Sequence, residues 1–280
     1  MKKVKSFSFQ GVNGAYSEQA GKNLFPDAEG MACSTFEEMF DKVRKGAVDA
    51  AMVPIENSLA GRVADTQRLI PDSDLKITSE YFLEVNHNLM GIKGSKISDI
   101  KRVHSHEQGI AQCRNKIIKL QKEMIIEADT AGSAKKISEL NNIEDAAIAS
   151  KLAAKIYELD ILEPNFEDNK NNVTRFLVMQ KEQITIDENL ENLLTTLVFN
   201  VRSIPAALYK CLGGFASNGV NITKLESYIH PQGFDVAQFY IDFEGHPNNK
   251  SVKLAIEEMK FFSKEIKILG VYKKSTFRKK

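Results

Sequence analysis

The sequence has few cysteines, almost no net charge and no long apolar run. Cys33, Cys113 and Cys211 are odd in number and widely spaced, which argues against a disulfide framework or a zinc site and favours a cytoplasmic location. The formal net charge is +1, with basic and acidic residues interspersed, so nucleic acid is not an expected partner. No apolar run reaches the length of a signal-peptide core or a membrane span, so neither export nor a membrane partner is expected.

Cofactor motifs are lacking as well. The chain has no Walker loop, no cluster of residues at metal-ligand spacing and no complete dinucleotide fingerprint, so we expect neither a metal nor a cofactor. It does have 42% hydrophobic residues in a length of 280, which is enough to fill the cores of two domains.

The first part of the chain alternates strand and helix signals, which is typical of a parallel or mixed sheet flanked by helices. Strands are predicted at 4–9, at 50–53 with a stop at Pro54, and at 174–179. Helices are predicted from Ser17, from a Thr35–Glu38 capping box to Gly46, from a Ser105–Gln108 capping box, from Thr130, and over 146–157. Their predicted buried faces include Ile110, Cys113, Ile117 and Leu120, and then Ala134, Ile137 and Leu140.

The last part of the chain has a different order of signals. A charged, aperiodic stretch at 181–189 indicates a linker. Beyond it we predict a strand (195–201), a helix (205–215), two strands (222–228 and 234–243), a helix (252–262) and a strand (266–272). This βαββαβ order is typical of a ferredoxin-like module. The basic residues at 273–280 are expected to form a solvated terminus.

Residues Asn172–Phe176 place a hydroxyl, a fixed cation and an aromatic ring side by side. Arg175 can bind a carboxylate through two parallel hydrogen bonds. Thr174 is far too weak an acid to give up its proton outright, but its hydroxyl can donate a hydrogen bond to a departing oxygen. Phe176 either excludes water from such a site or fills the core.

Glu56, Asn57 and Ser58 follow a predicted strand, at the end where sheets of this type present ligand-binding groups. Asn57 and Ser58 are candidate hydrogen-bond donors. Glu56 is a candidate structural partner, or an acid if burial or a neighbouring carboxylate raises its pKa. The alternative is a plain turn with Asn57 or Ser58 as a helix cap.

A predicted helix N-terminus carries a further polar group, which consists of Ser105, His106, Gln108 and Gln112. Exposed N–H groups and the helix dipole favour an anion there, although a helix cap would explain the same residues. Tyr16 and Ser17 follow the Gly11–Gly14 turn and are candidate contributors. His87 is expected to be structural.

Four segments, taken together and in order, resemble those of prephenate dehydratase: Gly11–Glu18, Val53–Ser58, Ser105–Cys113 and Asn172–Phe176. The resemblance covers about residues 4–273 and implies the loss of water and carbon dioxide from prephenate without a cofactor. It makes Thr174 the residue most tied to activity, with Arg175, Phe176 and Glu56 as further catalytic candidates. The implied substrate-binding residues are Asn57, Ser58, Tyr16, Ser17, Ser105, His106, Gln108 and Gln112. Glu107 stands where many relatives have proline.

The resemblance also implies an α/β fold with two parts. A two-lobed catalytic region similar to periplasmic binding proteins is expected at 1–181, with the second lobe roughly at 81–158. A linker at 182–191, a ferredoxin-like ACT regulatory domain at 192–273 and a basic tail at 274–280 would follow. Closure of the lobes over substrate is expected. Because the chain begins with its first strand, a fused chorismate mutase domain is not expected.

ACT domains in this family usually bind phenylalanine, often at a dimer interface, so a homodimer or homotetramer is expected. The implied effector residues are Ala206, Ala207, Leu208, Asn221, Glu226 and Ser227. Two family motifs are altered here, because Ala206 replaces a glycine and Tyr228-Ile229 replaces arginine-proline.

Two other functions fit parts of the sequence. Arogenate dehydratase shares the same motifs and acts on a substrate with an ammonium in place of a keto group. A cytoplasmic amino-acid sensor would keep the two-lobed shape without catalysis. The intact Thr174-Arg175-Phe176 segment argues against the sensor.

Overall fold

A computed structural model describes residues 3–229 and 237–279 of the chain. These residues form two compact units. Residues 3–69 and 81–177 make up the first unit, and residues 70–80, 178–229 and 237–279 make up the second. The chain therefore leaves the first unit briefly at residues 70–80 before it leaves it finally after Leu177.

The first unit contains two sheets. Its elements in chain order are β1 (Ser6–Gln10), α1 (Tyr16–Leu24), β2 (Glu29–Cys33), α2 (Phe36–Arg44), β3 (Ala50–Asn57), β4 (Gly61–Arg62), α3 (Ala64–Leu69), the end of β5 (Lys76–Glu84), β6 (Asn88–Gly91), β7 (Arg102–His106), α4 (Glu107–Gln112), α5 (Arg114–Lys119), β8 (Glu123–Glu127), α6 (Thr130–Leu140), β9 (Asp145–Ala149), α7 (Lys151–Ile156), β10 (Asp160–Glu163) and the start of β11 (Val173–Gln180). In the first sheet β3 lies between β11 and β1, and β1 pairs in parallel with β2 and β3. The second sheet has the order β10-β6-β9-β7-β8.

This arrangement confirms the expected α/β fold with two lobes, because each sheet carries its own helices and core. The second sheet is mixed: β7 is parallel to β8 and β9, whereas β6 is antiparallel to β9 and β10. The core between this sheet and α4 and α5 contains Ile110, Cys113 and Ile117, as the helical spacing predicted.

Short polar side chains cap the N-termini of α2, α6 and α7. Thr35 accepts a hydrogen bond from the Glu38 N–H at 3.1 Å, as predicted. Asp129 accepts one from the Gly132 N–H, and α6 then starts at Thr130 as expected. Each cap satisfies an N–H that has no partner within the helix. Leu140 in the last turn of α6 is half exposed, so the predicted buried face ends at Ile137.

The predicted helix over 146–157 is wrong. Residues Asp145–Ala149 form β9, which is buried along its whole length between β6 and β7. Only Lys151–Ile156 are helical, and Ser150 caps that helix by accepting from the Ala153 N–H at 3.0 Å. Alanines suit a helix by intrinsic propensity, but pairing on both edges of a central strand outweighs that preference.

Two other boundary predictions also fail. Pro54 does not stop its strand, since β3 continues to Asn57, although its pairing with β1 covers only Ala50 and Ala51. Ser105 does not cap α4, since it lies in β7 and its buried hydroxyl donates to the Ile148 carbonyl at 2.8 Å.

The second unit has the βαββαβ order that the sequence predicts. Its elements are β12 (Leu193–Val201), α8 (Ala207–Ser217), β13 (Ile222–Ile229), β14 (Ala237–Glu244), α9 (Lys250–Phe262), β15 (Ser263–Lys273) and a 3₁₀ turn at Thr276–Lys279. The strands are antiparallel in the order β13-β14-β12-β15. The first three residues of the predicted strand at 234–243, which are 234–236, lie outside the described residues.

One face of this antiparallel sheet of the second unit packs on α8 and α9 through aromatic and aliphatic side chains, which include Phe199, Phe215, Phe243 and Met259. The basic end of the chain is not simply solvated. Arg278 donates two hydrogen bonds to the carboxylate of Glu80, at 2.8 and 2.9 Å, and the Ser275 N–H donates a third. Glu80 is buried, so this charged pair fixes the 3₁₀ turn to β5 within the second unit.

Two helical glycines offer a test of the packing. A Cβ at Gly21 in α1 would overlap the buried ring of Phe7, whereas a Cβ at Gly213 in α8 would meet nothing within 4 Å. Gly21→Ala is therefore expected to destabilise the protein by about 1–3 kcal/mol through overpacking. Gly213→Ala should stabilise it by about 0.5–1 kcal/mol, because alanine favours a helix interior.

Thermal unfolding followed by circular dichroism measures both changes. Equal shifts in Tm for the two variants would contradict the close contact between α1 and β1.

Candidate active site

The end of β3 and the start of β11 are tied together by their backbones and by one serine. The Ser58 N–H donates to the Val173 carbonyl and the Val173 N–H donates to Ser58 Oγ, both at 2.9 Å. Ser58 Oγ in turn donates to the Asn171 carbonyl at 2.7 Å. These bonds set Asn57 beside Thr174, so two of the predicted site residues meet.

The orientation of the Asn57 carboxamide is fixed by the turn that follows β3. Its Oδ1 accepts hydrogen bonds from the Leu59 and Ala60 N–H groups, at 3.0 and 2.8 Å. Backbone N–H groups can only donate, so the opposite end of the amide must be the NH2 group. That group donates to Thr174 Oγ1 at 2.9 Å and to Asn172 Oδ1 at 2.7 Å.

The hydroxyl of Thr174 therefore acts as an acceptor toward Asn57. Its own hydrogen has no acceptor within residues 3–229 and 237–279, and Thr174 is half-buried. A hydroxyl held in this way can donate to a group that enters the site, because its position is set without using its proton.

Hydrogen-bonded side-chain amides extend from Asn57 to α4, which packs on the second sheet. Asn172 uses Oδ1 to accept from Asn57, so its Nδ2 donates to Gln112 Oε1 at 2.8 Å. Gln112 is the last residue of α4, and its NH2 group has no acceptor among the residues that the structure describes. The structure thus brings together Asn57, Gln112 and Thr174 from three separate predicted segments.

Arg175 and Glu56 form an ion pair from neighbouring strands, with Arg175 Nη1 at 3.0 Å from Glu56 Oε1. The Arg175 side chain is only 1% exposed, whereas the Glu56 side chain is 32% exposed. The cation is therefore buried, whereas its carboxylate partner is partly open to solvent. Phe176, the next residue of β11, is fully buried.

The predicted anion site at α4 is built differently from the expected capping box. His106 caps the helix, and its Nδ1 accepts from the Gln108 N–H at 3.2 Å. Because Nδ1 accepts, Nε2 must carry the hydrogen in the neutral ring and can donate. The Ser105 hydroxyl is committed to the Ile148 carbonyl, and the Gln108 side chain is exposed.

Tyr16 and Ser17 open α1. Tyr16 is linked to Gln112 through His87. Its hydroxyl oxygen lies 2.8 Å from His87 Nδ1 and 3.0 Å from the Asn86 carbonyl oxygen, and its single hydrogen can go to one of these two acceptors. Burial raises the pKa of Tyr16 well above its ordinary value, and the nearby Cys113 and Glu167 raise it further. Tyr16 therefore stays protonated at neutral pH. Ser17 is buried.

Two residues of this network were not among the predicted site residues. Asn172 is the first residue of the quoted segment Asn172–Phe176 but was given no role, and it could have been found as an amide that precedes an apolar strand. His87, expected to be structural, lies between β5 and β6 and gives no signal in the sequence, because its partners are 71 and 25 residues away along the chain.

The predicted effector residues all lie in the second unit. Ala206 precedes α8 with φ of 58°, in the left-handed region that favours the glycine found there in the family motif. Ala207 and Leu208 follow in the first turn. On β13 Glu226 pairs with Lys224 at 3.1 Å, Ser227 is the next residue, and Asn221 precedes the strand.

Two features are lacking among the described residues. No group of three or more His, Cys, Asp and Glu side chains there is arranged to hold a metal ion. Over the same residues, no helix is both long and apolar enough to cross a membrane.

Comparison with known proteins gives consistent matches. A family model described as prephenate dehydratase matches residues 7–184. A Komagataeibacter europaeus protein named bifunctional N-acyl-homoserine lactone acylase/prephenate dehydratase is 43% identical over 273 residues, which cover 98% of this chain and 97% of that protein. Arogenate dehydratase/prephenate dehydratase 2 of Arabidopsis thaliana is 38% identical and covers 95% of this chain, with 72% of its own length matched. The crystal structure of a prephenate dehydratase from Arthrobacter aurescens in complex with L-Phe has a TM-score of 0.87 and 31% identity, and the match covers 96% of this chain and 90% of that one.

The three thiols are expected to be inert in the folded protein. All three are buried, and burial raises the pKa of Cys33 and Cys211 to about 11 and moves that of Cys113 in the same direction. At pH 8 only about one such thiol in a thousand is ionised, and the thiolate is the reactive form.

Native protein should therefore react with a disulfide reagent at less than about a hundredth of the rate seen in denaturant, where all three thiols become available. One thiol that reacts at the free-cysteine rate in native protein would show that a cysteine is open to solvent.

Proposed function

Because the chain belongs to the prephenate dehydratase family, a family of lyases, we propose that it converts prephenate to phenylpyruvate, carbon dioxide and water. One observation carries this proposal: the Thr174 hydroxyl accepts from Asn57 and keeps its hydrogen available within the described residues. A donor placed in this way is what the departing hydroxyl of prephenate requires.

The reaction needs little from the protein. The bond between the ring and its carboxylate breaks, its electron pair enters the ring, and the C–O bond to the ring hydroxyl breaks as the ring becomes aromatic. One proton is consumed to turn the departing hydroxide into water. We propose that Thr174 stabilises this oxygen by a hydrogen bond and that solvent supplies the proton in the end, since a threonine hydroxyl is a weak acid.

The other predicted residues have supporting roles in this proposal. The NH2 group of Gln112 and the Nε2–H of His106 would bind substrate carboxylates near α4. Further contacts to the substrate on this side of the site would come from Ser105, Gln108, Tyr16 and Ser17. Asn57 and Ser58 would hold Thr174 and the loop in place. Arg175 would act on substrate charge from its buried position against Glu56, and Phe176 would close the core. Glu56 stays a candidate acid.

The domain assignment belongs to the same proposal. Residues 1–181 would be the catalytic domain, with its second lobe roughly at 81–158, and residues 192–273 the regulatory domain after a linker at 182–191. A cytoplasmic homodimer or homotetramer would fit the family and the three free cysteines.

Thr174→Val keeps the shape of the side chain and removes the hydroxyl. We expect kcat for phenylpyruvate formation to fall by about 10²–10³-fold, as for loss of one transition-state donor. Thr174→Ser, which keeps the hydroxyl, should stay within about tenfold of the wild type. Circular dichroism spectra and Tm of both variants show whether they are folded.

The wild type should be assayed with prephenate and arogenate in parallel, because a relative carries both activities in its name. Faster turnover of arogenate would change the substrate and leave the role of Thr174 intact. No turnover of either substrate by folded wild type would reject the dehydratase proposal.

A second candidate function comes from the Komagataeibacter europaeus relative, whose name includes N-acyl-homoserine lactone acylase and which matches nearly the full length of both chains. The reaction would hydrolyse the amide bond between the acyl chain and the lactone amine. Release of homoserine lactone from an acylated substrate is the direct assay. If the protein turns over prephenate but releases no homoserine lactone, the acylase proposal is rejected and the dehydratase proposal stands.

We also propose feedback by L-phenylalanine through the second unit. The βαββαβ order supports it, and a structural relative was crystallised with L-Phe. Ala206 has φ of 58°, a conformation that glycine adopts readily, so either residue can precede α8 with this backbone.

Titration calorimetry with L-phenylalanine should give saturable heat at or below millimolar ligand, and D-phenylalanine is the control. Ala206→Gly removes the strain of the left-handed residue and should bind at least as tightly. Absence of heat at millimolar L-phenylalanine would reject regulation at this site and leave the catalytic proposal untouched.

A further inference from the structure

We propose that His87 is a positioning residue of the active site, which holds the amide oxygen of Gln112 and so turns the Gln112 NH2 group toward the substrate. His87 is 2% exposed. Its Nε2 lies 2.7 Å from Gln112 Oε1, and its Nδ1 lies 2.8 Å from the Tyr16 hydroxyl. The inference rests on the proposed dehydratase function.

The direction of the His87–Gln112 hydrogen bond follows from the far end of the network. The backbone N–H groups of Leu59 and Ala60 make Asn57 Oδ1 an acceptor. Asn57 Nδ2 must then donate to Asn172 Oδ1, and Asn172 Nδ2 must donate to Gln112 Oε1. An oxygen cannot donate, so the partner on its other side, His87 Nε2, must carry a hydrogen.

This arrangement leaves Gln112 with one allowed orientation. If its amide turned over, the NH2 group would face two other donors, His87 Nε2–H and Asn172 Nδ2, and all three would lose their partner. Without the His87 donor only the bond from Asn172 opposes that rotation. His87 therefore decides how firmly the substrate-binding end of Gln112 is fixed.

The position of His87 is itself held by its surroundings. The backbone N–H of His87 donates to the buried Glu167 carboxylate at 2.8 Å, and the backbone carbonyl of His87 accepts from the Phe166 N–H. The ring contacts Tyr16 edge-on. His87 itself belongs to the segment that connects β5 to β6, and Phe166 and Glu167 belong to the segment that connects β10 to β11, so the imidazole lies where the two sheets of the first unit are joined.

Protonation of the ring does not remove the donor. In the neutral Nε2–H form, Nδ1 accepts from the Tyr16 hydroxyl; in the charged form, Nδ1 donates to Tyr16, whose hydroxyl then donates to the Asn86 carbonyl at 3.0 Å. Only the neutral Nδ1–H tautomer lacks the hydrogen that Gln112 needs. Burial lowers the pKa of His87, against the opposing effects of Gln112 and Glu167, which favours the neutral ring.

Two variants of similar size separate positioning from packing. In His87→Gln the side-chain NH2 can reach the place of Nε2 and replace its donor, whereas in His87→Asn the shorter amide reaches only the place of Nδ1. We expect His87→Asn to lower kcat/KM for prephenate by about 10–100-fold, mainly through KM, and His87→Gln to stay within a few-fold of the wild type. Equal losses in the two variants would overturn the proposal.

A double-mutant cycle with Gln112 tests the path of the effect. In a Gln112→Ala background there is no amide to orient, so His87→Asn should then cost less than about twofold. Additive losses would assign His87 a general structural role and overturn the proposal.

The tautomer provides a readout that does not depend on activity. Nitrogen-15 spectra of histidine-labelled protein should show a neutral ring with the hydrogen on Nε2 for His87, assigned by loss of the signal in His87→Gln. An Nδ1–H tautomer would overturn the inference even if prephenate is turned over. Conversely, an Nε2–H ring in a protein without dehydratase activity would reject the proposed function and keep the hydrogen-bond assignment.

Discussion

Two backbone N–H groups, those of Leu59 and Ala60, determine the direction of the hydrogen bonds that run through the site. They hold the oxygen of Asn57, and this forces every amide beyond it to face in one direction as far as Gln112 and His87. Backbone donors cannot rotate or change protonation state, so they are a firmer reference than any side chain. The Thr174 hydroxyl keeps its hydrogen for a ligand as a consequence of this order.

The fold supplies the pieces of this network from both sheets of the first unit. Asn57 and Thr174 come from adjacent strands, whose contact is sealed by Ser58. Gln112 comes from the last turn of a short helix above the second sheet. Such a site needs no cofactor if its reaction is driven by the formation of an aromatic ring, because its remaining task is to hold charges and one departing oxygen.

In the proposed function, the second unit has a regulatory role. Its sheet packs one face on two helices, and the end of the chain is fixed to β5 through Glu80 and Arg278. An effector that binds this unit alters activity only if it prefers one of two arrangements of the protein. The positive φ of Ala206 is a conformation that glycine adopts without strain, so the glycine of the family motif would suit this position.

Much of the fold and part of the site could be predicted from the sequence. Apolar spacing and helix caps located several elements of the first unit and the βαββαβ order of the second, whereas the two lobes of the first unit were implied by the family resemblance and agree with its two sheets. Failures such as the 146–157 helix arose where strand pairing outweighed local propensity. Ser105 was misplaced for a related reason, since its hydroxyl found a partner on a neighbouring strand.

By itself the sequence determined which chemical groups this protein has: a threonine, amides and an arginine in motifs that identify the family. Only the tertiary structure decided how they are placed, by burying Arg175 against Glu56 and by joining His87 to Gln112 and Tyr16. The physical reason is that a hydrogen bond has a direction, which depends on all its neighbours in space. Those neighbours are set by how the strands and helices pack, and they are far apart along the chain.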